Sequence, residues 1–132
     1  MFSDDGEFIT AIWDPKPQFE GFKNVLHGGI QTTLLDEIAS WTIYTKLKTA
    51  GVTSGINIKF KKPVLISKGT ITLKSKVREV NKRIVTLDTY LLDSDNQLCC
   101  EAEIKYFVMP EEKARVELLY PGVESFYIDP AK

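Results

Sequence analysis

The stretch "GGIQTTLLDEIASWTIYTKLKTA", residues 28 to 50, decides the fold. It contains no proline, Lys46 and Lys48 fall in its last turns, and Gly51 follows, which together favour one long helix ending at that glycine. At about 100° per residue, its apolar side chains spread nearly all the way round the helix. They are Ile30, Leu34, Leu35, Ile38, Ala39, Trp41, Ile43, Tyr44 and Leu47. Such a helix is usually buried, and in a chain of 132 residues only a sheet curled around it is large enough to bury it.

One arc of this helix differs from the rest because it is polar. Its members are Thr32, Thr33, Asp36, Glu37 and Ser40. Since polar side chains on a buried helix need partners, this arc is expected to face water, another subunit or a substrate.

After Gly51 the hydrophobic period changes from 3.6 to 2, which predicts strands. Turn signals at "VNKR" and "DSDNQ" separate the later strands from one another. The predicted order is one strand, the long helix, and then a meander of four antiparallel strands. The strands cover residues 7–13, 53–62, 69–80, 84–92 and 98–109, and Pro110 with the acidic residues after it predicts a short helix over 110–119.

The composition is that of a globular protein, and at 132 residues and 15.0 kDa it predicts a single domain over residues 1–132. A hydrophobic fraction of 43% and a formal net charge of -1 give no reason to expect nucleic acid or a membrane as partner. The sequence has no transmembrane-length apolar run and no signal-like start. Cys99 and Cys100 are adjacent on a predicted strand and cannot readily pair, so a cytoplasmic location is expected.

The segment "PQFEGFKNVLHGGIQTTLLDEIASW", residues 17 to 41, resembles the signature of hotdog-fold acyl-CoA thioesterases, in the branch typified by the phenylacetate-pathway thioesterase. The resemblance implies an α+β hotdog fold, in which a curved antiparallel sheet wraps around one long central helix. It also implies hydrolysis of a thioester between an acyl group and coenzyme A, at a dimer interface. Coenzyme A is then part of the substrate, and no separate cofactor is expected.

The same resemblance implies roles for individual residues. The Gly28 N–H would polarise the thioester carbonyl, and Asp36 would be the catalytic carboxylate, as nucleophile or general base. Thr53 would help to hold the attacking water, with Ser54 as the substitute if the loop differs by one residue. Further candidates for substrate contact are Asn24, His27, Gly29 and Glu37, and Glu37 is an alternative to Asp36 as the essential acid.

Physical chemistry supports the glycines and the acid as one site. Gly28 and Gly29 begin the helix, where the first N–H groups lack intrahelical acceptors and the helix dipole is positive. A donor aimed at developing negative charge is worth about 3 to 4 kcal/mol in the transition state. Asp36 lies roughly 12 Å further along the helix, too far to act on a carbonyl held at Gly28 of the same chain. The spacing therefore predicts a homodimer or a dimer of dimers, in which a second subunit supplies the acid, with a water relay within one subunit as the weaker alternative.

Other interpretations of these residues stay open. His27 could be a structural cap rather than the base of a hotdog dehydratase or hydratase, and the chain could bind acyl-CoA without turnover. Trp41, Tyr44 and Phe60 could belong to the core or line an acyl pocket. The basic side chains available for coenzyme A phosphates are Lys59, Lys61, Lys62, Arg78, Lys82 and Arg83. One histidine and two adjacent cysteines predict no metal site.

Overall fold

The computed structural model describes residues 2–110, in which one long helix packs against a single antiparallel sheet. Short 3-10 turns occupy Pro17–Phe19 and Ile66–Lys68. The elements are β1 (Phe2–Asp4), β2 (Ile9–Trp13), α1 (Gly28–Lys46), β3 (Gly51–Phe60), β4 (Ile71–Asn81), β5 (Ile84–Leu92) and β6 (Leu98–Val108). This arrangement confirms the predicted α+β hotdog fold class. The short helix predicted over 110–119 lies, apart from Pro110, outside the described residues.

The strand order corrects the predicted meander. The sheet runs β1-β2-β4-β5-β6-β3, so β3 pairs with β6 at one edge and not with β4, its successor in the chain. β4, β5 and β6 do follow one another as hairpins. The connection from β3 to β4 is longer and contains Pro63 and Gly69, so it carries the chain across the sheet instead of closing a hairpin.

The end of α1 also differs from the prediction, which extended the helix to about residue 50. The helix stops at Lys46, where Leu47 closes the last turn by donating its N–H to the Ile43 carbonyl at 3.1 Å. Lys48 then turns the chain with a left-handed φ of 54°. Gly51 already belongs to β3, and a Cβ there would lie 2.4 Å from the Phe107 carbonyl oxygen. The glycine is therefore needed for the close approach of β3 and β6, not for ending the helix.

The core lies between α1 and the inner face of the sheet. From the helix it takes Leu34, Leu35, Ile38, Ala39 and Ile43, and from the strands Leu73, Val85, Leu87, Leu91 and Ile104. The sheet covers α1 on one side only, because Gly29, Thr33 and Glu37, spaced four residues apart, remain exposed. Thr33 and Glu37 are members of the polar arc, so part of that arc is open to water in one copy of the chain, as the sequence predicts.

The edge strand β3 positions the site. A bulge between Thr53 and Gly55 shifts its register, and Thr53 lies opposite Tyr106 of β6 on the face that meets α1. Within residues 2–110 no strand pairs with the other edge of β3. Along this edge strand Val52, Ile56 and Phe60 remain 48%, 39% and 54% exposed.

Candidate active site

Asp36 and Thr53 meet where the polar arc of α1 faces β3. The Thr53 hydroxyl donates to Asp36 Oδ1 at 2.7 Å. Ser54 lies in the bulge that follows Thr53. Its hydroxyl donates to the Lys105 carbonyl oxygen at 3.2 Å and not to Asp36. Of the two hydroxyls considered from the sequence, Thr53 is thus the one that reaches the carboxylate.

Tyr106 is a member of this cluster that the sequence analysis missed. Its side chain is 2% exposed, and its hydroxyl oxygen lies 2.8 Å from Asp36 Oδ1, 3.0 Å from the Asp36 carbonyl oxygen and 2.6 Å from Ser40 Oγ. Burial raises the pKa of Tyr106 to about 12, so the phenol is protonated at neutral pH and can donate. The sequence does contain a signal for Tyr106. Alternation along β6 turns Ile104 and Tyr106 inward, and a buried tyrosine hydroxyl needs a hydrogen-bond partner.

The two oxygens of Asp36 have different surroundings. Oδ1 accepts hydrogen bonds from Thr53 and Tyr106. Oδ2 accepts none from the described residues, and within residues 2–110 Asp36 forms no ion pair. Glu37 is exposed, and its carboxylate has no hydrogen bond or ion pair with any residue from 2 to 110. The arrangement thus holds one carboxylate by one oxygen and leaves the other oxygen available.

His27 caps the N-terminus of α1. Its ring Nδ1 accepts the Gly29 N–H at 2.8 Å, and the backbone N–H of His27 donates to the Phe19 carbonyl oxygen at 2.9 Å. The structure thus shows a capping role for the His27 ring. It also distinguishes the two glycines, because the Gly29 N–H is already occupied.

Gly28 offers the open donor at this end of the helix. Its N–H has no hydrogen-bond acceptor among the described residues. A Cβ at this position would lie 3.4 Å from Phe60 Cζ, so the half-exposed Phe60 ring lies beside the glycine. Next to it, a groove of about 390 Å³ opens between the loop at Phe19 and the exposed side of α1 at Thr33.

The side chain of Asn24 has a structural role, because it is hydrogen-bonded to Ser67. Its amide nitrogen donates to Ser67 Oγ, and its amide oxygen accepts the Ser67 N–H, both at 2.8 Å. Its φ of 63° lies in the left-handed region that asparagine tolerates. Asn24 therefore ties the loop before α1 to the turn before β4, and the structure does not bring its amide to Asp36.

The basic candidates for phosphate binding separate into paired and unpaired side chains. Arg78 contacts Asp88 and, at 2.7 Å, Glu103 Oε2 on the outer face of the sheet. Lys61 lies 3.6 Å from Glu101 Oε1 and Lys62 donates to Gln97 at 3.3 Å. Within the described part of the chain Lys59, Lys82 and Arg83 have no ion-pair partner and remain candidates.

The remaining sequence candidates have the following positions. Trp41 and Tyr44 pack edge to face, with ring centroids 5.9 Å apart, and both are half-buried. No helix between residues 2 and 110 has the length and hydropathy needed to cross a bilayer. The same part of the chain has no group of three or more His, Cys, Asp or Glu side chains placed to hold a metal ion.

Comparisons with known proteins agree with this architecture. The model of the thioesterase superfamily matches residues 23–100. The protein named "Putative esterase SSO1253" from Saccharolobus solfataricus is 30% identical over 95 residues, which are 71% of this chain and 62% of that protein. The chain thus spans less than two thirds of the length of this curated relative.

Solved structures share the fold at lower identity. The Escherichia coli PaaI protein of the phenylacetic acid degradation operon superposes with a TM-score of 0.72 at 22% identity, over 80% of this chain and 79% of that one. A hypothetical thioesterase from Streptococcus pneumoniae, solved with coenzyme A, gives a TM-score of 0.74 at 18% identity, over 83% and 87% of the two chains. The family model covers more than half of the chain and includes both Gly28 and Asp36. This chain belongs to the thioesterase superfamily.

Proposed function

We propose that this protein is an acyl-CoA thioesterase, which hydrolyses the thioester between an acyl group and coenzyme A. The observation that carries the proposal is the Asp36 carboxylate, with Oδ1 bound by two hydroxyls and Oδ2 accepting no hydrogen bond from the described residues. A carboxylate held in this way is oriented and still has lone pairs for a proton or for a carbonyl carbon.

The relatives support this substrate class. The pneumococcal thioesterase was solved with coenzyme A, and the same protein was also solved with alanine in place of an aspartate and in place of a threonine. These are the residue types that meet here as Asp36 and Thr53.

Gly28 supplies the second half of the proposed chemistry. Its N–H lies at the positive end of α1 without an acceptor among the described residues, whereas the neighbouring Gly29 N–H is taken by His27. A thioester carbonyl oxygen that accepts the Gly28 N–H gains stabilisation as negative charge develops on it. The Phe60 ring beside Gly28 provides an apolar wall at this position.

A dimer brings the two halves together. Asp36 is roughly 12 Å along the helix from Gly28, so one chain does not present both groups to one carbonyl. The outer edge of β3 is unpaired within residues 2–110, and the strand exposes Val52, Ile56 and Phe60. An apolar edge strand of this length is normally covered. We assign to it the β3 strand of a second copy, related by a two-fold axis that places each Asp36 opposite the partner's Gly28.

The reaction balances with these residues and one water. In the direct route Asp36 attacks the thioester carbon and the coenzyme A thiolate leaves, which gives a mixed anhydride that a water then hydrolyses to the free acid and the Asp36 carboxylate. In the water route Asp36 takes a proton from a water that attacks the thioester carbon. In the water route the tetrahedral oxyanion accepts the Gly28 N–H, the carbon–sulfur bond breaks, and the proton held by Asp36 passes to the leaving sulfur. The products are the free acid and the coenzyme A thiol.

The test compares matched amide replacements of the two neighbouring carboxylates, Asp36→Asn and Glu37→Gln, on a panel of acyl-CoA esters of different length. Thiol release is followed with a thiol reagent. Cys99 and Cys100 do not interfere, because both are buried and burial raises the pKa of Cys100 to about 12. We expect Asp36→Asn to lower kcat by about 1,000-fold or more and Glu37→Gln to keep most of the activity.

The outcomes separate the alternatives. Full activity in Asp36→Asn would refute the assignment, and calorimetric binding of an acyl-CoA without any turnover by the unaltered protein would favour a binding protein. A single turnover in ¹⁸O-labelled water tests the direct route. An unlabelled first acid product, with the label in Asp36, establishes direct attack followed by hydrolysis of the anhydride at the Asp36 carbonyl, whereas attack by water on the thioester puts the label in the acid and none in Asp36.

A further inference from the structure

We propose that Tyr106 is a positioning residue for the reaction, because it orients the Asp36 carboxylate with one oxygen turned to the sheet and the other left for chemistry. The inference deepens the proposed thioesterase function and rests on it. It concerns a residue of the last described strand, 70 positions from Asp36 in the chain.

The direction of the hydrogen bonds follows from proton counting. Ser40 Oγ and the Tyr106 hydroxyl lie 2.6 Å apart, and either could be the donor. If Tyr106 donated to Ser40, its oxygen would face the Asp36 oxygen at 2.8 Å with no proton between them, which is repulsive. The favourable order is therefore Ser40 to Tyr106 to Asp36. The phenol proton is shared between Asp36 Oδ1 and the Asp36 carbonyl oxygen, which lies 3.0 Å away.

Tyr106 is better fixed than the other donor to the same oxygen. It projects from β6, an interior strand that pairs with both β5 and β3, and it is 2% exposed. Thr53 projects from β3, at the edge of the sheet beside a bulge. A tyrosine has only two side-chain torsions to hold, so a buried phenol keeps its position with little freedom. Tyr106 is thus the rigid reference for the carboxylate, and Thr53 adds to it.

Burial of the phenol also keeps it in the donating form. Its pKa is raised to about 12, chiefly by burial, so the hydroxyl remains protonated across the range in which the enzyme would work. A donor that does not titrate holds the carboxylate in the same way throughout that range. Tyr106 itself need not touch the substrate, since it acts through Asp36.

The experiment uses Tyr106→Phe, which keeps the ring and removes the hydroxyl, with Tyr90→Phe as matched control. Tyr90 lies on β5 with its ring against Phe8, and it lines an outer-face cavity together with Arg78 and Asp88. The substrate is an acyl-CoA ester that the unaltered protein hydrolyses. With it, we expect Tyr106→Phe to lower kcat by about 10- to 100-fold and to change KM by less than about threefold. Tyr90→Phe should leave both constants unchanged.

A second pair of variants protects the test from a folding defect. Ser40→Ala leaves Tyr106 in place but removes the donor to its oxygen, and we expect kcat to fall by about 3- to 10-fold. Ser40→Thr restores the hydroxyl and should recover most of that loss. Thermal unfolding and gel filtration report whether each variant keeps the melting temperature and the assembly of the parent.

Three results would overturn the inference. The first is a kcat of Tyr106→Phe within twofold of the parent while Asp36→Asn is inactive. The second is a rise in KM at constant kcat, since Tyr106 would then contact substrate. The third is a loss of kcat that matches the unfolded fraction. An active Asp36→Asn is a different result, because it refutes the proposed function itself.

Discussion

Asp93 and Asp36 both accept hydrogen bonds, but they differ in how many of their carboxylate oxygens are occupied. Asp93 lies in the turn between β5 and β6, and both of its carboxylate oxygens are occupied. Oδ1 accepts hydrogen bonds from the backbone N–H groups of Asp95 at 2.9 Å and Gln97 at 3.0 Å. Oδ2 accepts a hydrogen bond from Lys68 Nζ at 3.1 Å. The Gln97 N–H above all, with Lys68 and the Asp95 N–H, lowers the pKa of Asp93 to about 2. Every direction from which this carboxylate could react is occupied, so it serves the turn.

Asp36 has the same functional group in a half-satisfied state. Both of its donors are uncharged hydroxyls, both bind Oδ1, and within residues 2–110 no cation pairs with it. Under the proposed function, this contrast separates a structural acid from a catalytic one. Saturating both oxygens fixes a carboxylate in place, whereas saturating one orients it and leaves the other for a substrate or a water.

The substitution Asp93→Ala is expected to give the largest effect, which is a loss of stability. The substitution leaves the N–H groups of Asp95 and Gln97 without their acceptor and removes one of the two carboxylates that Lys68 contacts, so the melting temperature should fall by about 5 °C or more. Thiol release by the folded variant should stay within about twofold of the parent. Calorimetric unfolding and the kinetic assay measure the two quantities.

Asp36→Ala is the counterpart that makes this a test of the comparison. It should abolish turnover and shift the melting temperature little, because Thr53 is exposed to water and the buried Tyr106 hydroxyl keeps the Asp36 carbonyl oxygen and Ser40 Oγ as partners. If both alanine variants lost stability equally, the distinction between the two aspartates would fail.

A smaller effect is expected from Thr53→Val, which keeps the shape of the side chain and removes its hydroxyl. Asp36 Oδ1 would retain only Tyr106, so kcat should fall by about tenfold with little change in the melting temperature. Thr53→Ser keeps the hydroxyl and should retain most of the activity. Serine and valine variants of equal activity would mean that the hydroxyl does not act through Asp36.

Much of the fold could be predicted because it depends on local patterns. The alternation of β5 was identified over its full range, Ile84–Leu92, and the start of α1 at Gly28 follows from the glycines and the absence of proline after them. The missed features depend on contacts distant in sequence. β1 is only three residues long and exists by pairing with β2, and the place of β3 beside β6 depends on a crossover that alternation does not encode.

The site shows the same division. The sequence marks Gly28, Asp36 and Thr53 as candidates because they lie within a few turns and one loop of one another, and because the surrounding motif is distinctive. Tyr106 was missed because its contact with Asp36 exists only once β6 is known to lie between β5 and β3. Which glycine N–H is open could not be predicted either, since it depends on the orientation of the His27 ring.

The smallest effect is expected when the pH is lowered, and it concerns the contribution of ionised Asp93 to the free energy of unfolding. Because its pKa in the folded protein, about 2, is below the unfolded value of about 4, ionised Asp93 stabilises the fold above about pH 4. That contribution is lost as the pH falls through the folded value. Asp93→Asn lacks it at every pH, so the gap in the free energy of unfolding between parent and variant should be constant above about pH 5 and close towards pH 2. Urea unfolding at intervals of pH measures this gap, and a gap that persists at pH 2 would mean that the amide's shape, not the lost charge, destabilises the variant.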